Sequence, residues 1–423
     1  MSKTTEFLSN NICLITHKLQ NIHSVNISIS FKAGSLYENK KNNGISHLVE
    51  HLFFRQLSDL SQESLYLKMQ RIGAEITGKT YCDYVTFSIT VIQKHFVSAF
   101  DLMLKFFDDF KWSNSIISQE KEIVLRQIEN KSYSYEQWVD SFYFKNTKYI
   151  FPIMGSEKNI KLLSANEINL WKREYFSPNN SCVVITGNFS KEDYIFAKNK
   201  LSSVVGFGKK QAPINEIPIS FCNRNNNNYL NVVSTESELS EIVIIFDINN
   251  DFEYESIKLI TSILGDGCGS KLSIAMREKN SLTDDVFTQL TSYCGFYRYT
   301  ISYTVKNQNI FDSLLILFKT INEIKKNIAE EEYQSTIPFF TDNQLMDLDN
   351  CNKLNEEYVL SDFILNILPS EPIEKAEKYE SISIKQLINI AKEIFVRKNL
   401  SFIIETSINK KDIKDFLDNQ IIF

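Results

Sequence analysis

The sequence predicts an α+β protein that consists of two similar halves. Its 423 residues are enough for two or three domains with sizeable cores. Hydrophobic residues make up 43% of the chain, and its 31 Phe and 19 Tyr indicate a folded globule, not a disordered chain. Segments typical of strands and helices alternate in both halves, and one helix–turn–strand pattern occurs twice. This repeat is the reason to predict a duplicated unit.

The repeated pattern lies at the end of each half. The first copy comprises Ser164, Phe176, Asn180 and Cys182-Val183-Val184-Ile185, and the second comprises Ser383, Phe395, Asn399 and Ser401-Phe402-Ile403-Ile404. Every matched position is offset by 219 residues, as from Ser164 to Ser383. Each copy predicts a helix that continues through a short turn into a buried strand.

A linker is predicted between the two halves. Residues 206–228 contain Gly-Phe-Gly-Lys-Lys, two Pro and a run of four Asn, a composition typical of a linker or surface loop. We therefore predict an N-terminal domain at 1–205, the linker at 206–228, and a C-terminal domain of the same fold at 229–423.

The first half is predicted to start with a strand and a helix. Every second residue from Val25 to Phe31 is apolar, which indicates a half-buried strand. Gly34 ends this strand. Gly44 with Ser46 then begins a helix, because Ser is a favoured helix cap.

The segments that follow continue the alternation. Apolar residues at helical spacing predict helices at 65–72 and 95–110, and a strand is predicted at 84–89 between them. In the second half, the apolar run at 242–248 predicts a strand that leads into a helix at 253–265.

One stretch indicates specific chemistry, namely His47-Leu48-Val49-Glu50-His51. Two histidines four residues apart lie one helical turn apart on the same face, so both rings can reach one zinc ion. Glu50 lies on the same side, where its carboxylate can take a proton from a water that zinc activates. The order H-x-x-E-H is typical of inverzincin zinc peptidases. With only five His in the chain, the pattern favours a metal site over coincidence.

The motif and its flanks resemble a known family. Phe31 to Glu38 reads Phe-Lys-Ala-Gly-Ser-Leu-Tyr-Glu, and Gly44-Ile45-Ser46 leads directly into His47. This order resembles the pitrilysin family of zinc peptidases, and most closely its branch of mitochondrial processing peptidase subunits and bacterial relatives. The resemblance covers residues from about 10 to 190, and the second half more weakly. It implies two α/β-sandwich halves that form a clam-like peptidase subunit with one zinc ion per chain.

The resemblance also implies a third zinc ligand, a Glu on a later helix. The matching stretch is Glu120 to Glu129, and the ligand position falls on Gln127, 76 residues after His51. An amide oxygen can coordinate zinc but brings no negative charge, so the affinity for zinc should fall. Two interpretations remain open. Either His47, His51 and Gln127 bind zinc with Glu120 in a supporting role, or the chain is a weakened or inactive subunit.

Two further segments are assigned by the resemblance. Thr77, Gly78, Lys79 and Thr80 match an edge strand that pairs with the backbone of an extended substrate. An ordinary strand after a helix is the alternative for this segment.

In the second half, Arg277 matches an Arg that contacts the substrate or the scissile carbonyl, and a solvated helix charge is the alternative. The family's Tyr seven residues later is Asp284 here, which cannot donate to an oxyanion unless its pKa is raised. A transition-state donor is therefore lost, or is supplied by another chain. No His follows His95, so the second half cannot repeat the metal site.

These observations predict a zinc-dependent endopeptidase that cleaves peptides, precursors or leader peptides, with Glu50 as the base. The alternative is a weakened or inactive peptidase-like subunit that binds peptide and acts only with a related partner. A second subunit, either related or identical, is implied because one chain of this length supplies half of the chamber of longer, fused family members.

Composition restricts the classes of binding partner and the cellular location that the sequence predicts. The net charge of −6 provides no basic patch for nucleic acid. No apolar run approaches the roughly 20 residues that span a membrane, and residues 1–6 lack the apolar core of a signal peptide. The seven Cys form no C-x-x-C pair and are predicted to be free thiols, which favours a cytoplasmic location.

Overall fold

The computed structural model describes residues 3–130, 135–145, 147–212, 229–293, 295–366 and 371–420. The strands are β1 (Thr4–Phe7), β2 (Cys13–Lys18), β3 (Ser24–Phe31), β4 (Gln56–Leu57), β5 (Leu60–Ser61), β6 (Ile76–Thr80), β7 (Val85–Ile92), β8 (Ser181–Gly187), β9 (Leu230–Ser234), β10 (Leu239–Asn249), β11 (Phe287–Tyr293), β12 (Phe296–Lys306) and β13 (Leu400–Thr406).

The α-helices are interspersed with these strands. They are α1 (Ile45–Arg55), α2 (Gln62–Arg71), α3 (Phe96–Leu104), α4 (Asn114–Asn130), α5 (Tyr135–Tyr143), α6 (Glu157–Leu162), α7 (Ala165–Tyr175), α8 (Lys191–Ser203), α9 (Tyr254–Gly265), α10 (Lys271–Ser273), α11 (Ile310–Ile324), α12 (Glu330–Asp347), α13 (Cys351–Tyr358), α14 (Pro372–Ser381), α15 (Ile384–Ile394) and α16 (Lys410–Gln420). Within the described residues, no helix combines the length and apolar character needed to span a membrane.

The chain divides into two compact units. Unit 1 comprises Met1–Ile214 and Met346–Glu371, and unit 2 comprises Asn215–Leu345 and Pro372–Phe423. The predicted boundaries differ from this division because the described residues of 346–371, which were predicted to belong to the C-terminal domain, pack within unit 1. Residues 213–228 of the predicted linker lie outside the described residues.

Unit 1 contains a six-stranded sheet in the order β1-β2-β8-β3-β7-β6. Strand β8 runs parallel to β2, and the other neighbours in this sheet are antiparallel. One face of the sheet carries an aromatic-rich core. The Phe53 ring of α1 packs in it, 5.2 Å from Phe87 of β7 and 5.1 Å from Phe106 between ring centroids. These contacts attach α1 to the centre of the sheet.

The other face of this sheet is also covered, so the prediction of a half-buried strand at 25–31 is wrong. Asn26, Ser28 and Ser30 in β3 are almost fully buried. Helix α13 covers them, and Asn355 Nδ2 donates hydrogen bonds to Ser28 Oγ at 3.1 Å and to the Val184 carbonyl at 3.1 Å. The polar residues of β3 therefore form a hydrogen-bonded interface with α13 and do not face solvent.

Unit 2 contains a five-stranded sheet in the order β11-β12-β10-β13-β9. Strands β13 and β9 are parallel, and the remaining pairs are antiparallel. Strand β10 and helix α9 correspond to the strand predicted at 242–248 and the helix predicted at 253–265.

The predicted duplication is confirmed. Helices α7 and α15 both have 11 residues, and both start with a capping box, formed by Ser164 with Glu167 and by Ser383 with Gln386. Each helix is followed by a 3-10 turn, Pro178–Asn180 or Arg397–Asn399, and then by β8 or β13. In each copy the last residue of the turn, Asn180 or Asn399, donates a hydrogen bond back to the final helix carbonyl.

Candidate active site

Helix α1 presents the H-x-x-E-H motif beside its buried face. Leu48, Leu52 and Phe53 are fully buried against the unit 1 core. Because these residues anchor one side of the helix, His47 and His51 fall on a neighbouring side, where each side chain keeps 15–18% exposure. The motif is therefore on a rigid element with limited access to solvent.

The start of α1 is held by a carboxylate that the sequence did not reveal. Gly44 is the N-cap, with φ 98° and no side chain to cap the helix. Glu38 supplies the cap from the preceding loop, since its Oε2 accepts the Gly44 N–H at 2.7 Å and its Oε1 accepts the Ser46 N–H at 2.8 Å. Burial raises the pKa of Glu38 despite these hydrogen bonds.

The prediction that Ser46 caps α1 is wrong. Its hydroxyl oxygen instead accepts the Gly34 N–H at 3.1 Å and the Trp171 ring N–H at 3.2 Å. Ser46 therefore connects the helix to the loop that follows β3 and to α7.

The two histidines of the motif face each other. Their ring centroids are 4.6 Å apart, and one ligand atom from each of His47, Glu50 and His51 lies within 4.8 Å of the others. His51 Nδ1 is 3.0 Å from Glu120 Oε1, which leaves Nε2 of that ring available to a metal. Among the described residues, neither buried ring nitrogen of His47 has a hydrogen-bond partner.

These atoms fit a zinc ion. A buried polar atom without a partner requires an explanation, and an imidazole nitrogen directed at a metal is one. Two imidazoles on consecutive turns are typical zinc ligands. Within the described part of the chain, His47, Glu50 and His51 form the group of His, Cys, Asp and Glu residues suited to hold a metal ion.

Glu50 is buried between the histidines and the edge of the sheet. Its Oε2 lies 3.5 Å from His47 Nδ1 and accepts a hydrogen bond from Thr80 Oγ1 at 3.0 Å. Burial raises the pKa of Glu50, but the contact with His47, the electrostatic influence of both rings and the Thr80 hydroxyl together lower it below its usual value. The carboxylate is therefore ionised near neutral pH, as a proton acceptor must be.

Strand β6 borders Glu50 at the edge of the sheet. In the described sheet β6 pairs with β7 on one side only, so its other edge has no strand partner among the described residues. Gly78 and Thr80 face Glu50, while Thr77 and Lys79 are exposed. Lys79 forms an ion pair of 2.5 Å with Glu356. The assignment of these four residues to substrate binding stays a prediction.

The two candidate residues of α4 have different surroundings. Glu120 is buried and contacts His51, whereas Gln127 is exposed two turns later on the same helix. The seven residues between them correspond to roughly 10 Å along the axis. The role of Gln127 as a ligand stays a prediction.

Arg277 and Asp284 lie in unit 2, and both are exposed. Arg277 Nε is 3.6 Å from Oε1 of its neighbour Glu278. Their predicted roles at the substrate also stay predictions.

Sequence reasoning missed Arg55 as well as Glu38. Arg55 Nε lies 3.1 Å from Glu120 Oε2, whereas His51 contacts the other oxygen of that carboxylate. Its position four residues after His51 was the available signal, because i and i+4 share a helix face. Glu38 gave no comparable signal, since it lies in a loop without a periodic pattern.

Two family models match the chain. Residues 14–156 match "Insulinase (Peptidase family M16)" and residues 163–337 match "Peptidase M16 inactive domain". Together the two matches cover more than half of the chain, and the predicted resemblance is confirmed.

Individual relatives agree with these matches. An uncharacterized zinc protease of Rickettsia felis is 22% identical over 410 residues, which are 94% of this chain and 96% of that one. The mitochondrial-processing peptidase subunit beta of Saccharomyces cerevisiae is 26% identical over 179 residues, 41% of this chain and 38% of the yeast protein.

A solved structure supports the fold. A Helicobacter pylori protease superposes with a TM-score of 0.82 at 15% identity, over 96% of this chain and 99% of that one. The motif geometry, the two homologous halves and the matched models lead to one conclusion: the chain belongs to peptidase family M16.

Proposed function

We propose that the chain is a zinc-dependent endopeptidase that cleaves peptides, including precursors or leader peptides. The observation that carries the proposal is the position of Glu50, which lies between the His47–His51 pair and the open edge of β6. A general base at that place can act on the backbone of a peptide bound in extended form.

Each residue of the site has its own role in the proposed hydrolysis. His47 and His51 would hold the zinc ion, with Gln127 as the predicted third ligand. The ion would supply a Lewis acid that polarises the scissile carbonyl and acidifies water. Glu50 takes a proton from the attacking water and passes it to the leaving amine. Thr80 keeps Glu50 at the edge of the sheet through its hydrogen bond of 3.0 Å.

A second candidate function is a weakened or inactive subunit that binds peptide and acts with a related partner. The exposed amide of Gln127, where the family has a carboxylate, favours this candidate. The yeast relative is by its name a subunit, which supports a heterodimer with a related chain. A homodimer of two identical chains is the alternative assembly. A cytoplasmic location is part of the proposal, supported by the free thiols of all five described cysteines.

Three variants test the proposal on the full chain. Zinc content is measured by elemental analysis after addition of zinc, and cleavage is followed with a library of unstructured fluorogenic peptides. The wild type should hold about one zinc and cleave, and Glu50→Gln should keep zinc and lose cleavage because only the base is removed. His47→Ala should lose both.

His23→Ala is the matched control, because His23 is exposed outside the motif. Absence of zinc from the wild type, or cleavage at the parental rate by Glu50→Gln, contradicts the proposal. One bound zinc without cleavage, followed by cleavage when a related chain is added, supports the second candidate.

A further inference from the structure

A chain of contacts next to the candidate metal site connects Arg55 to Glu120 and Glu120 to His51. Glu120 lies in the middle, with Oε1 at 3.0 Å from His51 Nδ1 and Oε2 at 3.1 Å from Arg55 Nε. Each oxygen of the carboxylate thus has its own partner. The Glu120 side chain is only 7% exposed, so few water molecules compete for these positions.

Arg55 is itself held in place. It is the last residue of α1, one turn beyond His51, and its Nη1 donates a hydrogen bond of 2.7 Å to Gln62 Oε1 at the start of α2. The guanidinium is always charged, and the hydrogen bond to Gln62 keeps it beside the Glu120 carboxylate. Arg55 Nε has no hydrogen-bond partner among the described residues, so its contact with Glu120 is an ion pair, and Arg55 holds the Glu120 carboxylate in place through its charge.

The orientation of Glu120 matters because it selects the ring nitrogen that His51 offers to a metal. A carboxylate that accepts the Nδ1–H holds the imidazole in one tautomer and makes its Nε2 a stronger donor. The effect has more weight in this chain, since the third-ligand position is the neutral Gln127 and the two histidines supply most of the donor strength.

We infer that Arg55 is a positioning residue of the metal site, which acts through Glu120 to hold His51 in its Nδ1–H tautomer with Nε2 free for zinc. This inference rests on the proposed function, but it concerns Arg55, a residue that neither the motif nor the predicted ligand set includes. Loss of such a supporting contact typically weakens metal binding by about 10- to 100-fold.

The first measurement is the zinc dissociation constant of the full chain, by competition with a chelating dye. Arg55→Met should weaken zinc binding by about 10-fold or more, and Arg55→Lys should recover much of the loss because it returns a positive charge. The matched control is Lys105→Met, which removes a cation from the ion pair of Lys105 with Asp59 in the same unit and should leave zinc binding unchanged.

The second measurement is independent of zinc. Nitrogen-15 NMR of the metal-free chain labelled at its five histidines reports the tautomer of each ring, with His51→Ala for assignment. The wild type should show the Nδ1–H form at His51, and Arg55→Met should show a mixture of forms. A merely structural role of Arg55 would lower stability without changing this signal. If Arg55→Met does not fold, Arg55→Gln serves the same purpose.

The outcomes separate the inference from the proposed function. Parental zinc affinity together with an unchanged His51 tautomer in Arg55→Met overturns the inference. A wild type that binds no zinc overturns the proposed function, and in that case the tautomer measurement alone decides whether Arg55 positions His51.

Discussion

Gly78 lies so close to Glu50 that a Cβ atom on it would be 2.5 Å from Glu50 Oε1 and 2.7 Å from the Phe54 ring. On the same face of β6, Thr80 donates its hydroxyl to Glu50 Oε2 at 3.0 Å. Strand β6 therefore determines where the Glu50 carboxylate lies, because Gly78 limits the space beside Oε1 and Thr80 bonds to Oε2. This relationship links the proposed substrate strand directly to the proposed base.

Gly78→Ala should displace Glu50 and lower kcat/KM, while zinc content stays at the parental level. A displacement of about 1 Å in a reacting group can cost on the order of 100-fold in rate. Peptide cleavage and elemental analysis give the two values. Gly269→Ala is the matched control, because a Cβ atom at Gly269 would meet no other atom within 4 Å. Parental activity in Gly78→Ala would show that Glu50 can act from another position.

Glu38→Gln should destabilise unit 1 by about 2 kcal/mol, since hydrogen bonds to charged groups contribute about 1.5–3 kcal/mol each and the amide keeps only one of the two acceptors. Glu38 Oε2 accepts from the Gly44 N–H and from Asn43 Nδ2 at 2.9 Å, and Oε1 accepts from the Ser46 N–H. Whichever of the two oxygens the NH2 group replaces, at least one of these donors would face another donor. Denaturant unfolding of the metal-free chain measures the change. Glu157→Gln, at an exposed ion pair, is the control. Equal unfolding free energies for the two variants would contradict the capping role of Glu38.

The parts of the fold that were predictable from sequence depend on local spacing. Ser164 and Ser383 with their helices and strands follow short-range rules of capping and periodicity, and the structure reproduces them in both copies. The placement of His47, Glu50 and His51 on one side of α1 follows from 3.6 residues per turn in the same way.

The parts that were not predictable depend on contacts between distant residues. Asn355 covers β3 from 327 residues away, through its bond to Ser28, so nothing near 25–31 signals that the polar face is buried. Helical spacing put Glu120 and Gln127 on one face of α4, but it could not show which of them approaches α1. That depends on how the two helices pack, and the structure brings Glu120 to His51.

The buried Lys172 should make the free energy of unfolding depend measurably on pH. Lys172 is 2% exposed, and its ammonium lies 3.5 Å from the centre of the Phe110 ring and donates to the Phe110 carbonyl at 2.6 Å. Burial lowers the pKa of Lys172 to about 8 from its usual 10.5. Between these two values the unfolded chain binds a proton that the folded chain has released, so folding becomes more favourable as pH rises.

The wild type should therefore gain stability relative to Lys172→Met, by about 2 kcal/mol between about pH 8 and pH 10, at 1.36 kcal/mol per pKa unit. Urea unfolding of both chains across this range gives the difference. Lys105→Met, in a more exposed ion pair, should show no such divergence from the wild type. Parallel pH profiles for the wild type and Lys172→Met would mean that Lys172 titrates normally.

Gln127→Glu should tighten zinc binding, because it places a charged carboxylate where the family register puts a ligand. Gln127 is exposed on α4, so the substitution adds no buried charge and should leave the fold unchanged. The rate at which a chelator removes zinc is the measurement, and the native chain should lose zinc markedly faster than the variant. Arg126→Glu is the control, since it introduces the same carboxylate at an exposed neighbouring position about 100° around the helix.

Equal rates for Gln127→Glu and the native chain would mean that residue 127 is not a ligand, and that the register or the third-ligand assignment has failed. If zinc binding tightens and peptide cleavage rises, the missing carboxylate is what limits a weakened enzyme. If zinc binding tightens without any cleavage, the metal site is not the limiting factor. Asp284, where the family has a Tyr, would then be the next residue to change, because a carboxylate offers no hydrogen-bond donor to a developing oxyanion.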